Sequence, residues 1–395
     1  MPKNQSRKVT NGPRVYIASD YVADAYRFPI CNQFVVEGRG EIDLAAFTHA
    51  VHAAAEANPS TRLIYKGWLS VSRLVDSGVN PPVTVLEGDQ WSGFDFEGTT
   101  FYQRPLPIKT GPTSEVLVFR GDPMRLVFRT HHGITDGQGT FMWISDVFRI
   151  LRGEAPEGSG HTESIEQFRN ITNVREPKWK GEQCVAPTGN PGATPHGISF
   201  CRIDVKGPIS KLLPKVALLS AKAAWQRNPG GKVVFGIPLS LRPRRPDIHS
   251  SSNLSRALYI EVTRDTTIED IQQRIRAYME EDGKPALAEK MIPHLPLWVL
   301  RRYLENSIKK GLKTGQYWVS GFLSNMGRIP SDLVTLDTFT PERMFAIPPC
   351  GLMTPFFLGM MGFNETISIF ASMPAHLASD NRDKAFMDYL KENLA

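Results

Sequence analysis

The most informative segment of the sequence is Leu126-Val127-Phe128-Arg129-Thr130-His131-His132-Gly133-Ile134-Thr135-Asp136-Gly137, an apolar run that leads into two adjacent histidines. An aspartate follows four residues after the second histidine, and a glycine follows the aspartate. The chain has nine histidines among 395 residues, so a chance match to this string has a probability below about one in a thousand. The string lies where a strand pattern ends and a helical pattern begins.

The string suits acid–base chemistry. Acyl transfer from a thioester requires the attacking oxygen or nitrogen to lose a proton, which a neutral imidazole can accept. Because successive side chains of an extended segment alternate, only one of the two histidines can point into a cleft. Asp136 can fix the loop through backbone NH groups or a buried arginine, and Gly137 allows a tight turn where a Cβ would clash. A metal site made of His131, His132 and Asp136 is disfavoured, because both histidines would have to face the same way.

Apolar spacing around this string predicts alternating strands and helices. Two apolar runs, Val116 to Phe119 and Leu126 to Phe128, predict a hairpin that turns at Gly121-Asp122-Pro123. A helix is expected after Gly139, because its apolar residues recur on one side. Nearer the N-terminus, the expected elements are a strand from Arg14 to Ala18, a strand at Phe34-Val35-Val36, and a helix capped by Asp43 that ends near Asn58-Pro59.

The second half of the chain repeats this order after a polar crossing segment from Gly153 to about Gly197. Its expected elements are a strand at Leu258-Tyr259-Ile260, a helix with a capping box at Thr266 and Glu269, and a hairpin around Phe363-Asn364-Glu365. That hairpin leads to His376 and Asp380, which have the same spacing as His132 and Asp136. Either the chain contains an internal duplication or it contains two unrelated strand–loop–helix units. Duplication predicts two similar α/β halves with a ligand cleft between them.

Composition is typical of a globular protein, with 41% hydrophobic and 22% charged residues. No apolar run is long enough for a transmembrane helix, and the polar N-terminus does not resemble a secretory signal, so a cytoplasmic location is expected. The four cysteines are scattered, which argues against a zinc site and a cysteine nucleophile. A net charge of +6 and a pI of about 9.1 allow an anionic ligand. Nucleic acid is disfavoured, because the basic residues form no recognisable binding motif.

The motif string resembles that of the condensation-domain and CoA-dependent acyltransferase superfamily, which has the chloramphenicol-acetyltransferase-like fold. Three further stretches resemble family motifs: Asn58-Pro59-Ser60-Thr61-Arg62 resembles HPxLR, Ser324-Asn325-Met326-Gly327-Arg328 resembles SNxGR, and Pro238-Leu239-Ser240-Leu241-Arg242 resembles the mid-chain arginine segment. Asn and Thr stand where the first of these motifs usually has His and Leu. The DFGWG string of plant-type members is absent, which places close kinship with that group in doubt.

The resemblance implies a fold and a site. It implies an α/β protein of two chloramphenicol-acetyltransferase-like halves, residues 1–175 and 176–395, that form a V-shaped pseudo-dimer with the active site in a tunnel between them. His132 would be the general base and His131 structural, while Asp136 would hold the loop through an ion pair with Arg62. The copy at His376 and Asp380 would be degenerate. No resident cofactor is implied; acyl-CoA or a phosphopantetheine thioester, supplied by a carrier protein in trans, would be the co-substrate of a monomeric enzyme.

Other segments leave alternatives open. Ser324 and Asn325 could donate hydrogen bonds to an oxyanion, or could form a turn. Arg242, Arg244 and Arg245 could contact phosphates, or could belong to a solvated loop. The basic helix expected from Leu295 to Lys310 is best interpreted as core-facing with a solvated side, so membrane contact is not expected.

Three functions are consistent with these features. An acyltransferase of small-molecule or secondary metabolism is favoured, with a hydroxyl acceptor preferred over an amine because of Ser324 to Gly327. A free-standing condensation enzyme that joins carrier-bound substrates is the first alternative. A non-catalytic binding module is the second, and the intact motif argues against it.

Overall fold

The computed structural model describes residues 6–9, 11–26, 29–88, 90–168, 171–175, 183–193, 197–280, 282–284, 291–350 and 353–394. Within these ranges, the α-helices are α1 (Asn11–Tyr26), α2 (Leu44–Ala57), α3 (Gly137–Leu151), α4 (Leu212–Arg227), α5 (Ile268–Glu280), α6 (Leu297–Thr314), α7 (Ala375–Ala378) and α8 (Arg382–Leu394). The strands are β1 (Ser6–Lys8), β2 (Cys31–Gly40), β3 (Leu63–Lys66), β4 (Arg73–Asp76), β5 (Val83–Glu87), β6 (Ser114–Arg120), β7 (Met124–His131), β8 (Ile171–Arg175), β9 (Ile198–Lys206), β10 (Val233–Ser240), β11 (Ser255–Val262), β12 (Asp282–Lys284), β13 (Gly321–Ile329), β14 (Phe339–Ile347), β15 (Phe357–Phe363) and β16 (Thr366–Pro374).

The first large sheet has the strand order β14-β2-β7-β6-β5 and is antiparallel except for the β5–β6 pair. Its strands are rich in buried β-branched and aromatic residues, which favour extended backbone. The predicted hairpin of β6 and β7 is confirmed, and so is α2, whose first turn is capped by the Asp43 carboxylate accepting from the Ala46 NH. Apolar faces of α2 and α3 share one core with this sheet.

The second large sheet has the order β11-β10-β13-β15-β16-β9, with parallel pairing on both sides of β13. Helices α4, α5 and α8 contribute to its core. The hairpin of β15 and β16 is confirmed, and it leads to α7 and α8 as β6 and β7 lead to α3. The chain therefore folds as two α/β halves with the same hairpin-to-helix order.

One strand does not follow the sequence order of the halves. β14 pairs with β2 from Phe339 opposite Gly40 to Ile347 opposite Gln33, and so forms the edge of the first sheet. The predicted boundary between residues 175 and 176 assigns β14 to the second half, although the strand belongs to the first sheet. The first sheet is completed by a segment that comes from the second half of the sequence.

The strand predicted from Arg14 to Ala18 is wrong, because this segment lies inside α1. Ala18 and Val22 are one helical turn apart, and they pack with three apolar residues of α6: Leu300, Leu304 and Ile308. A five-residue apolar pattern cannot separate a short strand from one face of a buried helix. Contact with α6 decides in favour of the helix.

The capping box of α5 is displaced by one residue from its predicted position. Asp270 donates its NH to the Thr267 hydroxyl (3.2 Å), and the Thr267 NH donates to the Asp270 carboxylate (2.8 Å). The predicted partner Glu269 instead pairs with Lys211 at 2.7 Å. Both spacings fit a capping-box pattern, so the sequence alone could not choose between them.

The second HxxxD string differs from the first in burial. His376 is 3% exposed in α7, whereas Asp380 is exposed and has a left-handed backbone with φ of 61°. Asp136, by contrast, is only 1% exposed. An exposed carboxylate cannot fix a loop as a buried one does.

Candidate active site

The motif loop connects β7 to α3. It begins where the His131 NH donates to the Thr113 carbonyl and the His132 NH donates to the Ile30 carbonyl, both at 2.9 Å. It ends at Asp136, the N-cap of α3, whose carboxylate accepts from the Gly139 NH at 2.9 Å. Both ends of the loop are therefore fixed by backbone groups.

The His132 side chain is half-buried and lies against the ring of Tyr16, with 4.3 Å between the ring centroids. Its Nδ1 is enclosed without a hydrogen-bond partner among the described residues, and Nε2 is the nitrogen that keeps accessible surface. Burial lowers the pKa of His132 to about 4, with His131 acting in the same direction and Asp136 and the Thr135 backbone opposing it. The imidazole is therefore neutral near pH 7 and able to accept a proton.

His131 is 1% exposed, whereas His132 is half-buried. Its Nδ1 accepts from the Gly133 NH at 3.0 Å, and its Nε2 lies 3.5 Å from the Asp20 carboxylate. The two adjacent imidazoles thus have different surroundings, as alternation of side chains requires.

Asp136 is held by Arg242, not by Arg62. Both carboxylate oxygens of Asp136 accept from the Arg242 guanidinium at 2.9 Å, and Oδ2 also accepts from the Leu254 NH and the Ser255 hydroxyl. Burial alone would raise the pKa of Asp136, but the charge and hydrogen bonds of Arg242, with those of Gly139 and Ser255, lower it. The carboxylate is therefore ionised and fully engaged.

Arg62 forms a different ion pair, so its predicted pairing with Asp136 is wrong. Its Nη2 lies 2.6 Å from Asp76 Oδ2, at the end of β4. The turn Pro59–Arg62 directs the side chain toward the small sheet of β1, β4 and β3. The sequence could not show this, because Arg62 and Arg242 were equally available to a carboxylate at position 136.

The predicted phosphate contacts are also corrected for two of the three arginines. Arg242 is only 7% exposed, and it donates to the carbonyls of Ser250 and Ser252 in addition to Asp136. Arg244 donates to backbone carbonyls of Phe168, Tyr278 and Met279. Arg245 is exposed and is paired with Asp247 at 2.8 Å. Arg242 and Arg244 are structural groups that hold the loop after β10.

A segment of the second half, Ser250 to Leu254, clamps the motif loop and was not anticipated from the sequence. The Thr135 hydroxyl donates to the Ser251 carbonyl at 2.5 Å, and the Asn253 side chain donates to the His132 carbonyl at 2.7 Å. All three serines of the run are 0% exposed. The only available signal was a Ser-Ser-Ser-Asn run close to a group of arginines, which is also typical of exposed loops.

The glycine that the packing requires is Gly139, not Gly137. A Cβ on Gly139 would lie 2.3 Å from the Ser251 carbonyl oxygen and from the Thr135 hydroxyl. A Cβ on Gly137 would meet Met326 and Phe34 at 3.4 Å, which is ordinary contact. The prediction that a Cβ at Gly137 would clash is wrong, because the close approach occurs where the clamp meets the first turn of α3.

Ser324 and Asn325 lie on β13, in the second sheet. Asn325 is exposed, and its Oδ1 accepts from the NH of Gly327 at 2.9 Å, where the backbone φ is +73°. Its amide nitrogen is the group left to donate to a ligand. Met326 reaches Gly137, so this strand passes beside the motif loop.

Tyr16 is a candidate site residue that the sequence analysis missed. It lies on α1, and its ring contacts the His132 ring edge-on with 4.3 Å between the centroids. Burial, with Asp136 second, raises the pKa of Tyr16 to about 12, so the hydroxyl remains a donor. The segment was interpreted as a strand, and nothing in the sequence brought it near the motif.

Other kinds of site are less consistent with the structure. No group of three or more metal-ligating side chains occurs in the part of the chain that is described. All four cysteines are buried, and burial raises the pKa of Cys31 to about 12 and of Cys184 to about 11, which disfavours thiolates. Among the described helices, none is both long and apolar enough to cross a membrane.

Solved structures with the same overall fold are condensation domains. A variant of the starter condensation domain of rhizomide synthetase RzmA, in complex with C8-CoA and Leu-SNAC, aligns with 99% of this chain and 94% of its own, with a TM-score of 0.62 and 14% identity. The condensation domain of the monacolin K polyketide synthase MokA aligns with 98% of this chain and 96% of its own, with a TM-score of 0.63 and 10% identity. No protein-family model and no curated protein matches the sequence. The chain therefore has the condensation-domain fold of two chloramphenicol-acetyltransferase-like halves, as the motif resemblance predicted.

Proposed function

We propose that the protein is an acyltransferase that moves an acyl group from a thioester of CoA or of a carrier protein to a small-molecule acceptor. The observation that carries the proposal is the state of His132. It is a neutral imidazole with one accessible nitrogen, on a loop fixed by Asp136 and Arg242 and clamped by both halves. A general base must be unprotonated, accessible and fixed in position.

The proposed reaction has two steps. His132 Nε2 accepts the proton of the acceptor hydroxyl while that oxygen attacks the thioester carbonyl carbon, and a tetrahedral oxyanion forms. The C–S bond then breaks, and the imidazolium returns the proton to the departing thiolate. The products are an ester, or an amide from an amine, and a free thiol, so no external oxidant or reductant is required.

Two sets of groups could stabilise the oxyanion. The first is the Ser324 hydroxyl or the Asn325 amide nitrogen, alternating side chains of the strand that passes the motif loop, and the second is the Tyr16 hydroxyl next to the base. Preorganised donors of this kind commonly contribute a factor of about a hundred or more to the rate. Asp136 acts only as a positioning residue, because its oxygens are occupied by Arg242 and backbone groups.

The similar structures support the choice of co-substrates. RzmA variants were solved with C8-CoA, and one also holds Leu-SNAC, a thioester of an amino acid. We propose acyl-CoA or carrier-bound acyl groups as donors, which enter a tunnel between the halves opposite the acceptor. The same comparison supports a proposed role in secondary metabolism, and the active unit is proposed to be a monomer.

The acceptor separates two versions of the proposal. The SNxGR-like stretch from Ser324 to Arg328 favours a hydroxyl, whereas the amino-acid thioester in the RzmA complex favours an amine. A condensation enzyme that forms an amide between carrier-bound substrates is therefore the second candidate. A non-catalytic binding module requires His132 to be dispensable.

The test is release of free thiol from a panel of acyl-CoA and acyl-carrier thioesters, with alcohols and amines present. Wild type is compared with His132→Ala and with His49→Ala, which removes an exposed histidine of α2. We expect His132→Ala to lower turnover by at least about a hundredfold and His49→Ala to leave it unchanged. Equal thiol release from all three proteins would overturn the proposal, and release from carrier thioesters alone would select the condensation version.

A further inference from the structure

Four large apolar side chains are exposed on two adjoining segments of the chain. Val71 is 74% exposed, Trp298 71%, Trp68 66% and Met291 50%. We call these four residues the apolar patch. Scattered exposed apolar residues are ordinary, whereas a group that includes two tryptophans usually marks an interaction site.

The structure brings the two segments together across the sequence. The 3-10 helix Leu69–Val71 contains Val71 and directly follows Trp68. It contacts the 3-10 helix Ile292–His294, which directly follows Met291. The buried Arg14 guanidinium ties them further, because it donates to the carbonyls of Leu69 (3.1 Å) and Leu295 (2.5 Å). The patch is therefore supported by a fixed scaffold.

Positive charge surrounds the patch. Arg302, Lys309 and Lys313 follow Trp298 by four, eleven and fifteen residues, so they share its outward face of α6. The carboxylate on that face, Glu305, is paired with Arg301 at 2.7 Å and with Arg302 at 3.9 Å, so Lys309 and Lys313 are the cations of this face that it does not pair with. On the other segment, exposed Lys66 and Arg73 flank Trp68 and Val71.

We propose that the apolar patch and the cations of α6 form a docking surface for an anionic lipid membrane. Tryptophan favours the boundary between headgroups and acyl chains, and Lys and Arg beside it are attracted to an anionic lipid surface. The cations lie along the length of a helix that carries its tryptophan at one end, which suits a helix lying flat on a lipid surface. Membrane contact was not expected from the sequence, because a basic amphipathic helix usually packs on a core with one solvated side. Trp68 and Val71 join this helix only in the folded chain.

The surface adjoins the candidate site through one helix. α1 packs against α6, and Tyr16 of α1 contacts His132. A membrane-bound orientation would place this helix pair toward the lipid, from which an acyl chain or a lipophilic acceptor could enter. The lipid-binding proposal itself does not depend on the acyltransferase activity.

The test measures binding of the whole protein to lipid vesicles, independently of turnover. Wild type is sedimented with vesicles of phosphatidylcholine alone and with vesicles that contain about one third phosphatidylglycerol. We expect partitioning to the anionic vesicles to be stronger by at least about tenfold, to weaken with added salt, and to shift tryptophan emission to shorter wavelength. No binding to the anionic vesicles, or equal binding to both kinds, would overturn the proposal.

Matched variants locate the surface. Val71→Ser removes an apolar patch residue, and Val79→Ser removes a valine that is 60% exposed outside the patch. We expect Val71→Ser and Trp298→Ser each to weaken partitioning by a factor of about three to ten, with Val79→Ser unchanged. Equal loss in both valine variants would contradict the assignment. A purified acyl carrier protein that binds wild type but not Trp298→Ser, with no vesicle binding, would assign the surface to a protein partner instead.

Discussion

His132 shows how burial sets the behaviour of a single residue. Its pKa of about 4 lies below the ordinary value near 6.5, so the folded protein resists protonation there. The contribution of neutral His132 to the free energy of unfolding is fully present above about pH 6.5. It is lost as the pH falls from about 6.5 toward 4, because the unfolded chain then binds a proton that the folded chain does not.

This gives a prediction for pH dependence. The fall of kcat/KM at acid pH that reports protonation of His132 should have its midpoint near pH 4. The melting temperature of wild type should fall more between pH 7 and pH 5 than that of His132→Gln. Rate profiles and thermal melts measure the two effects. An acid limb near pH 6.5 would contradict the burial argument.

Tyr16 supports a second prediction at this scale. Tyr16→Phe keeps the ring against His132 and removes only the hydroxyl, so we expect kcat to fall by about ten- to a hundredfold with little change in melting temperature. Tyr303→Phe, on an exposed tyrosine of α6, is the matched control. If kcat of Tyr16→Phe equals that of wild type, the hydroxyl does not contact the reacting atoms.

The ion pair of Asp136 and Arg242 gives a prediction of stability. Arg242→Met leaves an ionised, buried carboxylate without its main partner and should cost about 3–5 kcal/mol. Arg62→Met breaks a less buried pair with Asp76 and should cost about 1 kcal/mol. Urea unfolding of both variants compares them directly, and equal losses would mean that Asp136 does not depend on Arg242.

At the scale of elements, the first turn of α3 depends on a backbone contact. Gly139→Ala should disturb the clamp, because the new Cβ would lie 2.3 Å from the Ser251 carbonyl, and we expect a loss of about 2–4 kcal/mol and of most activity. Gly137→Ala adds a methyl group in ordinary contact and should be tolerated. Thermal melts and turnover of the two variants test this; a more damaging change at Gly137 would show that the clamp is not the constraint.

Elements with a local signal were predictable, and those decided by distant contacts were not. The hairpin of β6 and β7 follows from two apolar runs around Gly121 and Pro123, and α2 follows from its period and its Asp43 cap. The helix α1 was missed, because its helical state depends on packing against α6, which lies far along the chain. A local sequence pattern therefore predicts an element such as α2, but it does not show which remote segments will pack together.

In the whole molecule, the candidate site was likewise predictable only where its signal lies within one short segment of the sequence. The motif string marked His132 and Asp136, because their chemistry and spacing are local. Arg242 was noted, but its partner could be assigned only once the loop after β10 met the motif loop. The clamp at Ser251 and Asn253 and the contact of Tyr16 arise in the same way, from the meeting of two halves.

The pairing of β14 with β2 has a consequence for how the chain is made. On the ribosome, β2 emerges long before its partner at Phe339–Ile347, because most of the described chain lies between the two strands. Until then one side of β2 presents unpaired backbone NH and CO groups, the kind of edge at which nascent chains associate wrongly. The first sheet is therefore completed only after the intervening chain has been translated, and folding of this protein should depend on keeping that edge covered until β14 emerges.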